Sequence, residues 1–196
     1  MINQIILASK SGVRKKILEN NKIVCKVEPS NIDEDSVKES LLKEKATPTN
    51  ISKNLAELKA NKISQKFINE IVLGADSIID LEGEIISKPN NRAEALQILQ
   101  KLNGKTHHLV SSVCISKGGF MIWNYTDKAS LTMKNMNLSD LEVYLKKISD
   151  ETLFAYNVYQ IEGEGRGLFS KIEGDKDTIM GLPIRQIKKY LKNYND

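Results

Sequence analysis

A mixed sheet of the α/β or α+β class, in one domain with room for two lobes around a cleft, is what the sequence predicts. Three observations predict it. Short apolar runs of strand character recur along the chain, amphipathic helical repeats stand between several of them, and the two kinds mix without the strict alternation of a parallel βαβ series. A length of 196 residues provides for one substantial core, and 40% hydrophobic with 28% charged residues is an ordinary globular composition.

The elements follow in order. INQIILAS reads as a buried strand, and GVRKKILEN after it places Val13, Ile17 and Leu18 on one helical face. KIVCKV (22–27) alternates as a second strand and runs into the acidic, turn-rich EPSNIDEDS. From Thr49 to Phe67, Ile51, Leu55, Leu58 and Ile63 fall near helical spacing, with Thr47-Pro48 as the start signal. EIVLGA then reads as a strand and SIIDLEGEII as a hairpin turning at Glu82-Gly83. NNRAEALQILQKL carries Leu96, Leu99 and Leu102 on one face and stops before Asn103-Gly104. THHLVSSVCIS and FMIWNYTDKASLTM are strands joined through Gly118-Gly119. SDLEVYLKK opens a helix with Ser139 and Glu142 in capping-box register, and GLPIRQIKKYLKN is a last helix with Pro183 in its first turn.

Charge and cysteine usage exclude several function classes. The formal charge is +4, and the lysines are scattered among acids, so no basic face draws nucleic acid. Cys25 and Cys114 lie far apart without CxxC spacing, as buried thiols of a reducing compartment do. No stretch approaches the ~20 apolar residues of a membrane span. The expectation is a cytoplasmic protein with neither nucleic acid nor membrane as partner.

Two stretches can carry chemistry. In LASKSGVRKK, a strand ending in hydroxyl residues runs straight into a helix, whose free N–H groups and positive dipole end suit phosphate oxygens. Ser9 and Ser11 could add hydroxyl donors and Arg14 a forked cation, although Ser11 as a plain helix cap and Arg14 as solvated surface is the simpler reading. In IVLGADS, Asp76 stands where an apolar strand ends, either as an Asx turn or at the mouth of a ligand crevice. Glu34 in NIDED is a second carboxylate, and Lys59 and Lys88 are cations from separate segments. Two carboxylates with several cations fit a metal and phosphate site. His107-His108 and Trp123 read as structural, and the glycines of YQIEGEGRGLF as a bulge or a close backbone approach.

Together these segments resemble the Maf-like nucleotide pyrophosphatase family. LASKSGVRKKIL is similar to its LASxSPRRxxLL, NIDED to its xxDE, LAELKA to its LAxxKA and LGADS to its GAD[ST]. SKPNNRAEALQILQKLNGKTH and IEGEGRGLFSKIEGDKDTIMGLP resemble its GKPxDxxxAxxxLxxLSGxxH and IxGxGxxLFxxIEGDxxxxxGLP, so the likeness spans 1–196 as one domain. The resemblance implies a twisted mixed sheet with helices on its faces and two lobes around a deep cleft. It implies hydrolysis of nucleoside triphosphates to monophosphate and pyrophosphate as house-cleaning of noncanonical nucleotides, dependence on Mg²⁺ or Mn²⁺, cytoplasmic location and frequent homodimerisation.

By the same resemblance Asp76 is the catalytic acceptor and a metal ligand, with Glu34 near the metal. Ser9, Arg14, Lys59 and Lys88 handle phosphate, and Val13, Ser77 and Glu162 occupy positions tied to base choice. Val13 stands where many members have an arginine, and FAYN (154–157) where they have aspartate, lysine and glycine. Glu162 is shared with the subgroup that prefers 7-methyl-GTP, and a carboxylate can accept from both N1–H and the exocyclic amine of guanine, whereas uracil offers N3–H alone. An ordinary carboxylate is a weak base for free water, so a metal ion must acidify that water or the carboxylate must be made more basic. The alternative is a catalytically weak, nucleotide-binding regulator of cell division.

Overall fold

A computed structural model describes residues 4–155 and 157–195; Tyr156, within the FAYN stretch, lies outside the described residues. The described strands are β1 (Ile5–Leu7), β2 (Cys25–Val27), β3 (Val72–Leu81), β4 (Glu84–Ile86), β5 (Thr106–Lys117), β6 (Phe120–Met133) and β7 (Phe169–Glu173). They form a seven-stranded sheet of order β2-β1-β3-β5-β6-β7, with β4 paired to β3. β1 runs parallel to β2 and β3, whereas β3 with β4 and β6 with β7 are antiparallel, which makes the sheet mixed as predicted. The helices are α1 (Gly12–Asn20), α2 (Glu34–Lys43), α3 (Pro48–Ser64), α4 (Arg92–Leu102), α5 (Leu138–Lys147), α6 (Asp150–Ala155), α7 (Lys176–Ile179) and α8 (Ile184–Asn195). Among the described residues no helix is long and apolar enough to cross a membrane.

By its contacts the chain divides into two compact units, one of residues 1–77, 110–128 and 175–196, the other of residues 78–109 and 129–174. In the first, the two-residue period of β1 sends alternate side chains to opposite faces. Ile5 and Leu7 join Ile17 and Leu18 of α1 and Leu182, Ile184, Ile187 and Leu191 near the chain's end. Ile6 and Ala8 join Ile63 of α3 and Val72 of β3. Helices therefore cover both faces. The contact between α3 and β3 is closer than any side chain allows: a Cβ at Gly74 would lie 2.2 Å from the Ala56 carbonyl oxygen and 2.7 Å from the Ala60 nitrogen. Gly74, Ala56 and Ala60 thus let a helix backbone rest on a strand.

In the second unit α4 buries Ala95, Leu99 and Leu102, and α5 buries Leu141, Tyr144 and Leu145. Arg92 donates to the carbonyls of Leu145 and Ile148 at 2.7 Å each, satisfying acceptors at the end of α5 that the helix itself leaves over. His107 is fully buried, with Nε2 2.6 Å from the Tyr159 hydroxyl, and Tyr159 meets Phe169 edge-on at 4.8 Å. Burial, seconded by His108, lowers the His107 pKa to about 4.

Several boundaries differ from the sequence reading. β3 runs unbroken through Leu81, so Asp76 lies in mid-strand rather than at a strand end, because the apolar residues Ile78, Ile79 and Leu81 continue the buried pattern past it. The hairpin turn at Glu82-Gly83 is present, with φ of 53° and 90°. The acidic stretch after Ser30 holds a helix, α2, which Asp33 caps by accepting from the Ser36 N–H. Asn137, not Ser139, caps α5. YQIEGEGRGLF makes a 3-10 helix at Glu164–Leu168, and the close approach at Gly165 is to the Gln160 backbone.

Candidate active site

Two polar groups form in the first unit. The first is centred on Lys59, which α3 carries into a buried place. Its Nζ lies 2.8 Å from Asp76 Oδ1 and 2.9 Å from Glu34 Oε2, and both Lys59 and Asp76 are only 5% exposed. Helical packing on Gly74 sets this register, since Lys59 sits between Ala56 and Ala60 on the helix and Asp76 lies two residues beyond Gly74 on the strand. Ser52, two helical turns earlier on the same face of α3, donates to the Asp76 carbonyl at 3.3 Å. Lys62 donates to the Asn31 carbonyl at 3.0 Å and so ties down the loop that delivers Glu34. Burial raises the Glu34 pKa, but the Lys59 ammonium, with smaller help from Lys38 and Arg14, more than offsets it and leaves the group below its usual value. Asp76 Oδ2 is buried and, among the described residues, has no hydrogen-bond partner. A buried carboxylate with one oxygen paired and the other not is open to a further partner, because leaving such an atom bare is costly.

The second group is centred on Arg14. Its Nε donates to the Gly181 carbonyl at 3.0 Å, Nη1 to Ser9 Oγ at 3.1 Å and to the Ala75 carbonyl at 3.0 Å, and Nη2 to Ser77 Oγ at 3.1 Å. Four of its five N–H groups are thereby used, so Arg14 is first a clamp and can offer a ligand one hydrogen bond besides its charge. Burial lowers its pKa, opposed by Asp76 and Glu34. Ser9 Oγ also accepts from the Ser11 N–H at 3.2 Å, so both its lone pairs are taken and its O–H is what it can offer an incoming oxygen. Ser11 is the helix cap, accepting from the Arg14 N–H at 3.3 Å.

Of the residues singled out from sequence, the structure brings Lys59, Asp76 and Glu34 into one ion-paired group and Ser9, Arg14 and Ser77 into one hydrogen-bonded group. Val13 is half-buried and packs against the first unit's core. Lys88 and Glu162 belong to the second unit and are exposed, Lys88 two residues after β4 and Glu162 in the turn before the 3-10 helix. Sequence reasoning missed Ser52, Ser111 and Gly181. Ser111 was the findable one: two adjacent serines in a long buried strand need partners.

A Maf-like protein family model matches residues 4–194. A protein named nucleoside triphosphate pyrophosphatase from Pelagibacter ubique (strain HTCC1062) is 80% identical over 98% of each chain. A 7-methyl-GTP pyrophosphatase of Brucella suis biovar 1 (strain 1330) is 38% identical over 94% of this chain and 92% of its own. Among solved structures, a HAM1 protein from Coxiella burnetii aligns over 68% of this chain and 74% of its own at 12% identity, with a TM-score of 0.43, too distant a likeness to carry a conclusion. With the family pattern matched over nearly its whole length, this chain belongs to the Maf-like protein family.

Proposed function

We propose that the chain hydrolyses the α–β phosphoanhydride of nucleoside triphosphates, releasing a nucleoside monophosphate and pyrophosphate. The observation that carries this reading is Asp76, held by Lys59 through Oδ1 and left with an unpartnered, buried Oδ2. The names of the relatives just described support the same activity.

In this reaction a water oxygen bonds to the α-phosphorus, the bridging oxygen leaves with pyrophosphate, and the water's proton goes to Asp76 Oδ2. Lys59 fixes the carboxylate so that Oδ2 is the atom presented. The first N–H groups of α1 and the Ser9 O–H are donors for phosphate oxygens, and the charge of Arg14 favours a polyphosphate. A divalent cation fits the donor set in part. Asp76 Oδ2 and Glu34 are hard oxygen donors, but among the described residues no group of three His, Cys, Asp or Glu gathers, so phosphate and water oxygens would complete the sphere, a common arrangement for Mg²⁺. When bound, Mg²⁺ or Mn²⁺ would acidify the attacking water and neutralise phosphate charge. Glu162 supports a purine, with 7-methyl-GTP among the candidates, because its carboxylate can accept two N–H bonds from a guanine edge. Two free thiols, Cys114 buried and Cys25, contrary to the sequence reading, only half-buried, support a cytoplasmic site of action.

The test is pyrophosphate release from a panel of normal and methylated triphosphates, with Mg²⁺ or Mn²⁺, by the wild type and Asp76→Asn. Turnover in the wild type and its loss in the variant is the expected result. Full turnover by Asp76→Asn rejects the site.

A further inference from the structure

The hydroxyl of Ser77 is locked in one polarity by a residue that no ligand can touch. Ser111 is fully buried, and its Oγ lies 2.8 Å from the Thr178 carbonyl oxygen and 3.0 Å from Ser77 Oγ. Two oxygens at these distances need a hydrogen between them. A carbonyl has none to give, so the single Ser111 hydrogen points at Thr178. The hydrogen between Ser77 and Ser111 must then come from Ser77. Ser77 Oγ also accepts from Arg14 Nη2 at 3.1 Å. A serine hydroxyl has one donor and two lone pairs, which leaves exposed Ser77 with a single outward lone pair.

The lock is closed on all sides. The Thr178 carbonyl accepts a second bond from the Gly181 N–H at 3.0 Å, and the Gly181 carbonyl accepts from Arg14 Nε at 3.0 Å, so the bonds run in a ring through Arg14, Ser77, Ser111, Thr178 and Gly181. Thr178 is itself held by its hydroxyl, which donates to Asp127 Oδ2 at 2.7 Å. Gly181 has φ of 92°, and a Cβ there would lie 2.8 Å from Ser77 Oγ, so a glycine is required for the ring to close.

We propose that Ser111 is a specificity-positioning residue: by holding the Ser77 hydrogen inward, it makes Ser77 an acceptor only, selecting a nucleobase that presents an N–H there over one that presents an acceptor. This rests on the proposed nucleotide pyrophosphatase reading, and on the family resemblance that ties the Ser77 position to base choice. A guanine edge offers such N–H groups at N1 and at its exocyclic amine.

The experiment measures kcat/KM for pyrophosphate release within three pairs that differ by one N–H group: GTP against ITP, GTP against 1-methyl-GTP, and ATP against purine riboside triphosphate. In at least one pair the wild type favours the N–H-bearing member, Ser77→Ala reduces that ratio about fivefold, as loss of one neutral hydrogen bond does, and Ser111→Ala reduces it too. Ser111→Ala in a Ser77→Ala background moves the ratio no further. A loss of fold by Ser111→Ala lowers both members of a pair alike and does not move the ratio, and Ser77 is exposed, so its variant tests the idea on a folded chain. Overturning results are ratios unchanged in Ser77→Ala, ratios unchanged in a folded Ser111→Ala, or a Ser111→Ala effect that persists without the Ser77 oxygen. Absence of pyrophosphate release from every triphosphate by the wild type rejects the functional reading itself, and this proposal with it.

Discussion

Lys59 holds two carboxylates on one buried ammonium, and its removal is costly in two ways. Lys59→Met leaves Asp76 buried without its cation, and breaking a buried pair from one side costs about 3–5 kcal/mol. Denaturant unfolding should show a loss of that order, with pyrophosphate release down at least a hundredfold, the low end of what a positioned proton acceptor contributes. Glu34 behaves differently because its side chain is 41% exposed, so Glu34→Gln should cost far less stability. Its pKa lies below the usual 4.5, so its share of stability is fully present above pH 4.5 and disappears as pH falls through the lowered folded value. Wild type and Glu34→Gln should therefore differ in unfolding midpoint at neutral pH and converge in acid; a difference that stays constant into strong acid would mean that Glu34 is not ionically held.

At the scale of elements, the decisive contact is α3 against β3. Gly74→Ala drives a methyl into the Ala56 carbonyl and must push the helix outward. The expected overpacking cost is about 1–3 kcal/mol, and kcat should fall with it, because the same displacement separates Lys59 from Asp76. A thermal melt beside a single-substrate assay checks both; stability lost with kcat intact would break the link. In the second unit, His107 stays neutral when folded, with a pKa near 4, while the unfolded chain binds a proton near 6.5. Stability should therefore decline by about 3 kcal/mol as pH falls from about 6.5 to about 4, and His107→Gln should flatten that slope in denaturant titrations. Much of this level was legible beforehand. Ile51, Leu55 and Ile63 of α3, Leu99 and Leu102 of α4 and both glycine hairpins follow from local spacing and turn chemistry, but Leu58 is 42% exposed, because the buried stripe of α3 passes through Ala56, Lys59 and Ala60 instead. The α2 helix was not legible, since it buries no side chain and so shows no apolar stripe, and an acidic run reads equally well as a turn.

For the whole molecule, the long-range bonds decide what a sequence can reveal. Asp76, Glu34 and Lys59 were recognisable as chemistry from their residue types, but Arg14 to Gly181 joins positions 167 apart, and no local period encodes it. That is why Arg14 was read as a phosphate cation or surface residue when it is foremost a clamp, and why Ser111 was passed over. The first unit also needs its last segment. Ending the chain at residue 174 removes Leu182, Ile184, Ile187 and Leu191, all buried in one cluster with β1 and α1. At about 1.5–3 kcal/mol each, their loss rivals the total of about 5–15 kcal/mol that holds a domain folded. Circular dichroism of that truncated chain should lack the first unit's part of the melt; a transition of full amplitude near the full-length midpoint would contradict the core described above.

The first unit is threaded from three separated stretches, residues 1–77, 110–128 and 175–196. Translation delivers Ser9, Lys59 and Asp76 early, yet the carbonyl that anchors Arg14 and the apolar residues that seal β1 come far later. A nascent polypeptide on the ribosome accordingly carries Ser9, Lys59 and Asp76 without the bonds and the core that fix them, and the first unit cannot close before residue 191 has been made.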